Sequence, residues 1–401
     1  KMISKKISNN NLEKQGMIRH MKIAVIVKNS IWYDPRIRKQ LFEYIRRGEN
    51  VSAVGVKDAR YNREAVINLP CRTVLCSFNN TVKLSFFRKI LREILSDRSM
   101  LKTITREKPD IIHANDLNAL IPAYIASRRL KCAIIYDTHE IFLENPWIAV
   151  NKPVKLIWSI FERYIIKRVN LVVCVSHAAA DYFERKYRIK KPLVITNCVS
   201  SDRHSKDIEH IEHENIFPKQ ILNHGQFYAG RGYDIMIDAA AILTSFGDLL
   251  FVLRGYGELE DQLKCRADEL HAENVYFAPP VSVEELIPCA SQAWVGIAIT
   301  EKISLNFELS VSNKIFEYAA AGIPVIMSDI PEHRYLNDRY HFGIILSEDT
   351  PECLASAIMK LYNDRNLYRC CAENSKRLSG EITWENEFGK LIEFERNLTI
   401  K

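Results

Sequence analysis

A rhythm constrains this 401-residue chain more than any single motif: short apolar runs rich in β-formers alternate with helical stretches, break once, and restart. The first series predicts strands at residues 22–28, 51–56, 73–76, 110–113, 132–136, 171–175 and 193–196. Helices at 35–47, 116–129, 155–168 and 177–187 fall between them. The runs are apolar at nearly every position, as strands covered on both faces of a parallel sheet must be. Residues 198–218 are dominated by Ser, Asp, His and Glu and carry no apolar period. The rhythm then resumes with strands at 220–223, 249–253, 274–277, 294–299, 324–327 and 342–346, and helices at 233–244, 259–271, 313–321 and 353–362. The fold class that follows is α/β: two Rossmann-like, doubly wound parallel-sheet domains. Their strand ends can face each other across a cleft, where ligands of such sheets bind.

The division expected is a disordered leader over 1–20, a first domain over 21–200, a linker over 201–219 and a second domain over 220–380. A C-terminal helix within 381–401 is long enough to cross back onto the first domain. The leader is polar, basic and aperiodic, without the apolar core of a secretory signal. No apolar run approaches the 18 or so residues of a membrane-spanning helix, and the longest candidate, 289–300, suits a buried strand and its approach. Ten cysteines include no Cys-x-x-Cys pair, and Cys174 lies in an apolar run as a buried thiol would. A reducing cytoplasm is the compartment this implies. No Asp-x-Asp and no His/Cys cluster stands at ligand spacing, so no metal is expected.

Charge is distributed unevenly. Residues 1–200 hold 37 Lys and Arg against 17 Asp and Glu, while 201–401 hold 19 against 32, so the net +7 hides two opposed halves. Such asymmetry points the first half at an anionic surface or substrate; a nucleic-acid partner is not expected.

The turn after the first strand, Asn29 to Arg36, contains no glycine, which argues against a nicotinamide or flavin site. Gly255-Tyr256-Gly257 stands between a strand and a helix, where it is either a phosphate contact or a plain turn. The segment His224-Gly225-Gln226-Phe227-Tyr228-Ala229-Gly230-Arg231-Gly232 is more specific. It opens a helix, where bare backbone N–H groups and Arg231 suit a diphosphate, unless Arg231 is merely solvated. The stretch from Glu308 to Ile326 reads as a helix capped by Ser312, stopped by Gly322 and followed by a strand. Glu317, between Phe316 and Tyr318, can accept two ribose hydroxyls or be an ordinary helix glutamate.

At these residues the chain resembles the retaining family 4 glycosyltransferases (glycosyl transferases group 1) of GT-B fold. The Gly-x6-Gly turn, the Gly-x-Gly and Phe316-Glu317-Tyr318-Ala319-Ala320-Ala321-Gly322-Ile323-Pro324-Val325-Ile326 appear in that family's order and spacing. Pro109 to Asp116 and Tyr136-Asp137-Thr138-His139-Glu140 also look like family segments, and the match runs from Met21 to about Tyr362. The resemblance implies transfer of a sugar from a nucleotide-diphosphate sugar to a hydroxyl of a glycan or lipid-linked glycan, in surface polysaccharide biosynthesis, with no cofactor beyond the donor. It assigns the donor ribose to Glu317, the diphosphate to Arg231 and the donor sugar to His139. Gly225, Gly255, Gly257, Glu308 and Asn313 join the donor site, and Asp34, Arg36 and Asp116 the acceptor side. Gln226 stands where many members carry a second cation, and Lys314, beside Asn313 at a helix start, is the expected replacement. The family's earlier paired glutamate position is Leu309 here, with Glu308 adjacent.

Without a carboxylate nucleophile, retaining transfer relies on stabilising the departing diphosphate, a role for Arg231, Lys314 and backbone N–H groups. His139 follows a strand end and is either catalytic or structural. A nucleotide-sugar epimerase of the same architecture, or a non-catalytic sugar-nucleotide binder, are the rival readings. Finally, the stretch from Leu84 to Lys108 is amphipathic, with Phe87, Ile90, Leu91, Ile94 and Leu95 on one face and Arg88, Lys89, Arg92 and Arg98 around it. It either packs on the core or docks peripherally on an anionic membrane.

Overall fold

The computed structural model describes residues 20–29, 31, 34–56, 70–76, 86–203 and 215–398. The chain forms two compact units, one holding residues up to Thr138 with Ser159–Val172, the other His139–Trp158 with Val173–Lys401.

The first sheet is built from β1 (Lys22–Val27), β2 (Asn50–Val56), β3 (Arg72–Cys76), β4 (Ile111–Asn115), β5 (Ala133–Thr138), β6 (Leu171–Cys174) and β7 (Leu193–Val194), ordered β3-β2-β1-β4-β5-β6-β7. Its helices are α1 (Pro35–Arg46), α2 (Phe86–Glu107), α3 (Asp116–Leu130), α4 (Pro146–Val150), α5 (Lys152–Ile165) and α6 (His177–Tyr187). β1 is buried at every position but its first, which is why its sequence reads as one apolar run. Local chemistry sets the ends. Asp34 accepts from the Arg36 and Ile37 N–H groups to start α1 beside Pro35. Lys131, left-handed at φ 55°, ends α3.

The second sheet repeats the plan with β8 (Lys219–Gln226), β9 (Leu249–Tyr256), β10 (Val275–Ala278), β11 (Val295–Ala298), β12 (Val325–Met327) and β13 (Gly343–Ile345), ordered β10-β9-β8-β11-β12-β13. Around it lie α7 (Tyr233–Ile242), α8 (Glu260–Glu269), α9 (Leu286–Ala290), α10 (Leu305–Glu308), α11 (Asn313–Ala320), α12 (Pro331–Tyr340), α13 (Pro351–Asn363), α14 (Arg365–Glu381) and α15 (Trp384–Leu398). One core joins Phe251, Leu253, Ile297 and Ile326 of the sheet to Met236, Ile237, Leu354 and Ile358 of the helices. Each such side chain contributes about 1.5–3 kcal/mol on burial. Trp294 stacks on Tyr368 with ring centroids 5.2 Å apart. Strand order reverses between β8 and β11, the switch point where an open sheet of this type leaves a crevice at its carboxyl edge.

Strand and helix expectations hold in order and class. The predicted strand at 110–113 runs instead to Asn115, and Asp116 takes a left-handed φ of 62° at the turn into α3. The predicted C-terminal helix is α15, tied to the segment after β7: Trp384 N–H donates to Val199 O, and Glu387 and Glu385 accept from the N–H groups of Thr196 and Ser201. The expected leader (1–19), residues 204–214 of the expected linker, and Leu84 lie outside the described residues, as do the side chains of 86–95. Helix α2 forms over Phe86–Glu107, without its apolar and basic faces being described.

Candidate functional site

At the carboxyl end of β8 the glycines serve geometry first. Gly225 and Gly255 pair across β8 and β9, and a Cβ on Gly255 would lie 1.8 Å from Gly225 O. One on Gly257 would lie 2.5 Å from Phe227 O. The Gly-x-Gly is therefore required where two chain segments touch, so its glycines need no phosphate to explain them. Gly230 and Gly232 have φ of 81° and 64°, and Cβ atoms there would strike Ile303 and Ile299 at 2.6 and 2.4 Å. This conformation carries the turn into α7. The expected run of bare N–H groups is modified here: Gly232 N–H donates to Glu301 Oε1 at 3.3 Å.

Arg231 leaves that turn, partly buried, with its guanidinium 4.7 Å from the Phe307 ring centroid. Burial pulls its pKa below the usual value. Lys314 enters from the first turn of α11 and donates to Asn223 Oδ1 at 2.6 Å, while Asn223 Nδ2 donates to Arg231 O at 3.3 Å. Burial, and then the repulsion of Arg231, lower the Lys314 ammonium to about 7, against a smaller attraction from Glu317. One turn on, Glu317 accepts from His224 Nε2 at 2.6 Å. Two cations and one oriented carboxylate thus gather at one strand end, an arrangement suited to an anion with hydroxyl groups attached.

The supports were not singled out in the sequence. His224 places Nε2–H on Glu317, leaving a buried Nδ1 with no partner among the described residues. Tyr318 accepts from His224 N–H and donates to Leu222 O, fixing α11 to β8. Tyr233 Oη is buried without a partner among the described residues, and Lys314 Nζ lies 5.0 Å from its ring centroid. His333 of α12 donates through Nδ1 to Ser328 O at 3.0 Å and accepts the Ser312 N–H through Nε2 at 3.4 Å. Burial lowers it to about 4, so it stays neutral and holds the start of α11. The signal available for Asn223 and His224 is their place: polar side chains that directly follow the short apolar pair Ile221-Leu222 and share its burial in β8.

The remaining predicted residues divide by place. Asn313 opens α11, and its Oδ1 accepts from Asn197 Nδ2 at 3.3 Å. Glu308 ends α10 and is partly buried. His139 follows β5, and the residues after it are clamped to α10: Ile141 N–H donates to Asn306 Oδ1, whose Nδ2 donates to Glu140 Oε2. Phe307, the next residue of α10, is the ring under Arg231. In the first unit Asp34 is occupied as the α1 cap. Arg36 is 3% exposed and grips Asp137 with contacts of 2.9 and 3.0 Å, which removes its charge from direct acceptor contact. Asp137 also accepts from Gln40 at 2.7 Å and lies 3.2 Å from His113 Nε2, and His113 Nδ1 lies 3.0 Å from Tyr44 Oη. Asp116, at its left-handed turn, is partly buried.

The chain matches Glycosyltransferase Family 4 over residues 43–203 and Glycosyl transferases group 1 over residues 206–378. It is 22% identical over 352 residues to an uncharacterized glycosyltransferase of Methanocaldococcus jannaschii, covering 84% of this chain and 86% of the relative. Among solved structures it is similar to sucrose-phosphate synthase from Thermosynechococcus elongatus, with a TM-score of 0.74 at 14% identity over 95% of this chain and all of the other. It is also similar to HepE of Anabaena in complex with UDP-glucose, with a TM-score of 0.69 at 17% identity over 95% of this chain and all of the other.

Proposed function

The chain belongs to the family 4 glycosyltransferases of GT-B fold, and from that premise we propose that it transfers a sugar, with retention, from a nucleotide-diphosphate sugar to a glycan or lipid-linked glycan hydroxyl. The observation carrying this reading is the meeting of Arg231, Lys314 and Glu317 at the end of β8. Glu317, aimed by His224, binds the ribose hydroxyls. Arg231 and Lys314 face the diphosphate and offset the negative charge that grows as the sugar–phosphate bond breaks. In this reading the two cations meet that charge without a metal ion, and the acceptor hydroxyl passes its proton to a phosphate oxygen as it attacks. His139 contacts the donor sugar. HepE was captured with UDP-glucose, so UDP-sugars are the first donors to test. The setting we propose is surface polysaccharide assembly at the cytoplasmic side of the cell membrane. The expected docking through 84–108 rests on its sequence pattern alone.

Calorimetric titration against a panel of UDP-, GDP- and ADP-sugars tests the assignment. A cognate donor binds the wild type, and Glu317→Ala or Arg231→Ala, each folded by circular dichroism, weakens binding by about 1.5–3 kcal/mol through loss of charge-assisted hydrogen bonds. Unchanged affinity in both variants would remove the donor site from this strand end. For His139→Ala, kcat and kcat/KM fall together while donor affinity holds, because its contact strengthens in the transition state. Wild-type turnover in that variant returns His139 to a structural role.

A further inference from the structure

β9 is apolar from Leu249 to Leu253, and a charge, Arg254, follows directly. The register sets its place: Arg254 pairs with His224 of β8 on one side and with Ala278 of β10 on the other. Residues aligned in a parallel sheet project from the same face, and His224 marks that face by reaching Glu317 of α11 at 2.6 Å. Arg254 therefore stands one strand spacing, about 4.8 Å, from the residue that aims the ribose carboxylate. The inference rests on the donor reading above: a ribose held on Glu317 carries its base towards a strand beside β8. On the β11 side the Tyr318 ring lies against Gly296, where a Cβ would be 2.3 Å from it. The β9 side is the one left for the base.

The chain there is short of backbone donors. After β10 it runs Pro279-Pro280, and proline has no N–H. The Ser282 N–H is taken by Glu285 Oε2 at 3.0 Å, and Pro279 O accepts from Arg254 Nη1 at 3.1 Å. That bond aims the guanidinium and leaves the rest of its fork unspent. Nε is buried with no partner among the described residues, and Nη2 makes no hydrogen bond there either. Arginine has five N–H donors and no acceptor, so what completes this site must itself be an acceptor. Uracil and guanine present a keto oxygen at the edge where cytosine and adenine present an amino group, which is a donor. Tyr256, 54% exposed at the end of β9 and bonded through Oη to Gln226 Nε2 at 3.2 Å, offers a ring on which a base can lie.

We propose that Arg254 selects the base of the donor nucleotide, taking keto bases and rejecting amino bases. Calorimetric titration of the full chain with UDP, CDP, GDP and ADP tests it, since each keto and amino pair shares a ring system and differs at the edge Arg254 meets. Within the ring size that binds, the keto member is expected to bind about tenfold or more tightly than its amino counterpart. Arg254→Leu, and Arg254→Gln, whose amide can still donate to Pro279 O, each bring that ratio to about twofold or less. An arginine that only supports the loop lowers the affinity of keto and amino nucleotides alike, and that result overturns the proposal. Equal affinity of the wild type within both pairs overturns it too, as does a ratio that survives in both variants. Binding that needs Glu317 but ignores the base leaves the donor reading in place and overturns this inference alone. Wild type that binds none of the four nucleotides removes the donor reading and this one with it.

Discussion

Lys314 is held between opposing influences. Burial and the neighbouring Arg231 disfavour its charge, Glu317 favours it, and the balance leaves the ammonium near 7. The sign of the linkage follows. Between about 7 and the ordinary lysine value the unfolded chain binds the proton that the folded chain has released, so this group's contribution to stability rises with pH over that interval. A diphosphate reverses the local preference, because it favours the ammonium. Donor binding above pH 7 therefore takes up a proton, and affinity falls as pH rises. Calorimetry from pH 6.5 to 8.5, in buffers of different ionisation heat, should show proton uptake growing towards one and a Kd rising by at most about tenfold per pH unit. Lys314→Met removes the uptake; the same pH slope in that variant would assign it to another group. The sequence marks Lys314 as a cation at a helix start, but its low pKa arises first from burial in the folded chain and then from Arg231, 83 positions away in the sequence.

At the scale of elements, the site depends on how closely α7 and α11 approach the second sheet. Gly296 lets α11 sit on β11, since a Cβ there would lie 2.3 Å from the Tyr318 ring. Gly232 is left-handed at the start of α7, and its missing Cβ makes room for Ile299. Gly232→Ala combines backbone strain with overpacking and should cost ~2 kcal/mol or more in urea unfolding, with weaker donor binding as Arg231 is displaced. Gly247→Ala is the control, because nothing lies within 4 Å of its added Cβ; it should stay within about 0.5 kcal/mol. Equal stability of the two variants would rule out a built-in turn at Gly232. The sequence shows glycines near strand ends but cannot separate Gly232 from Gly247, because the difference lies in what stands opposite each one. Helices α12 and α14 carry polar residues over much of their length and were not among the stretches singled out. Yet α12 supplies His333, the neutral support of α11.

For the molecule as a whole, the two doubly wound sheets, their strands in order, and the residue types at the carboxyl end of β8 are legible in the sequence. They are legible because strands buried on both faces must be apolar throughout, and because helix starts and tight turns have local chemical requirements. Which polar residues are consumed as scaffold depends on contacts that form only when distant segments meet. The family resemblance puts Arg36 on the acceptor side, and β5 brings Asp137 against it across 101 positions, a meeting that no local pattern encodes. The same limit governs the outer surface. Residues 84–108 and helix α5 are both amphipathic in sequence, and periodicity reveals that a stripe exists but not what covers it. Packing leaves the apolar side of α5 in solvent, because the buried side of that helix holds Glu162 and Ile165 instead. Which side of a helix is covered depends on its neighbours in space, and these are fixed only when the sheet has assembled.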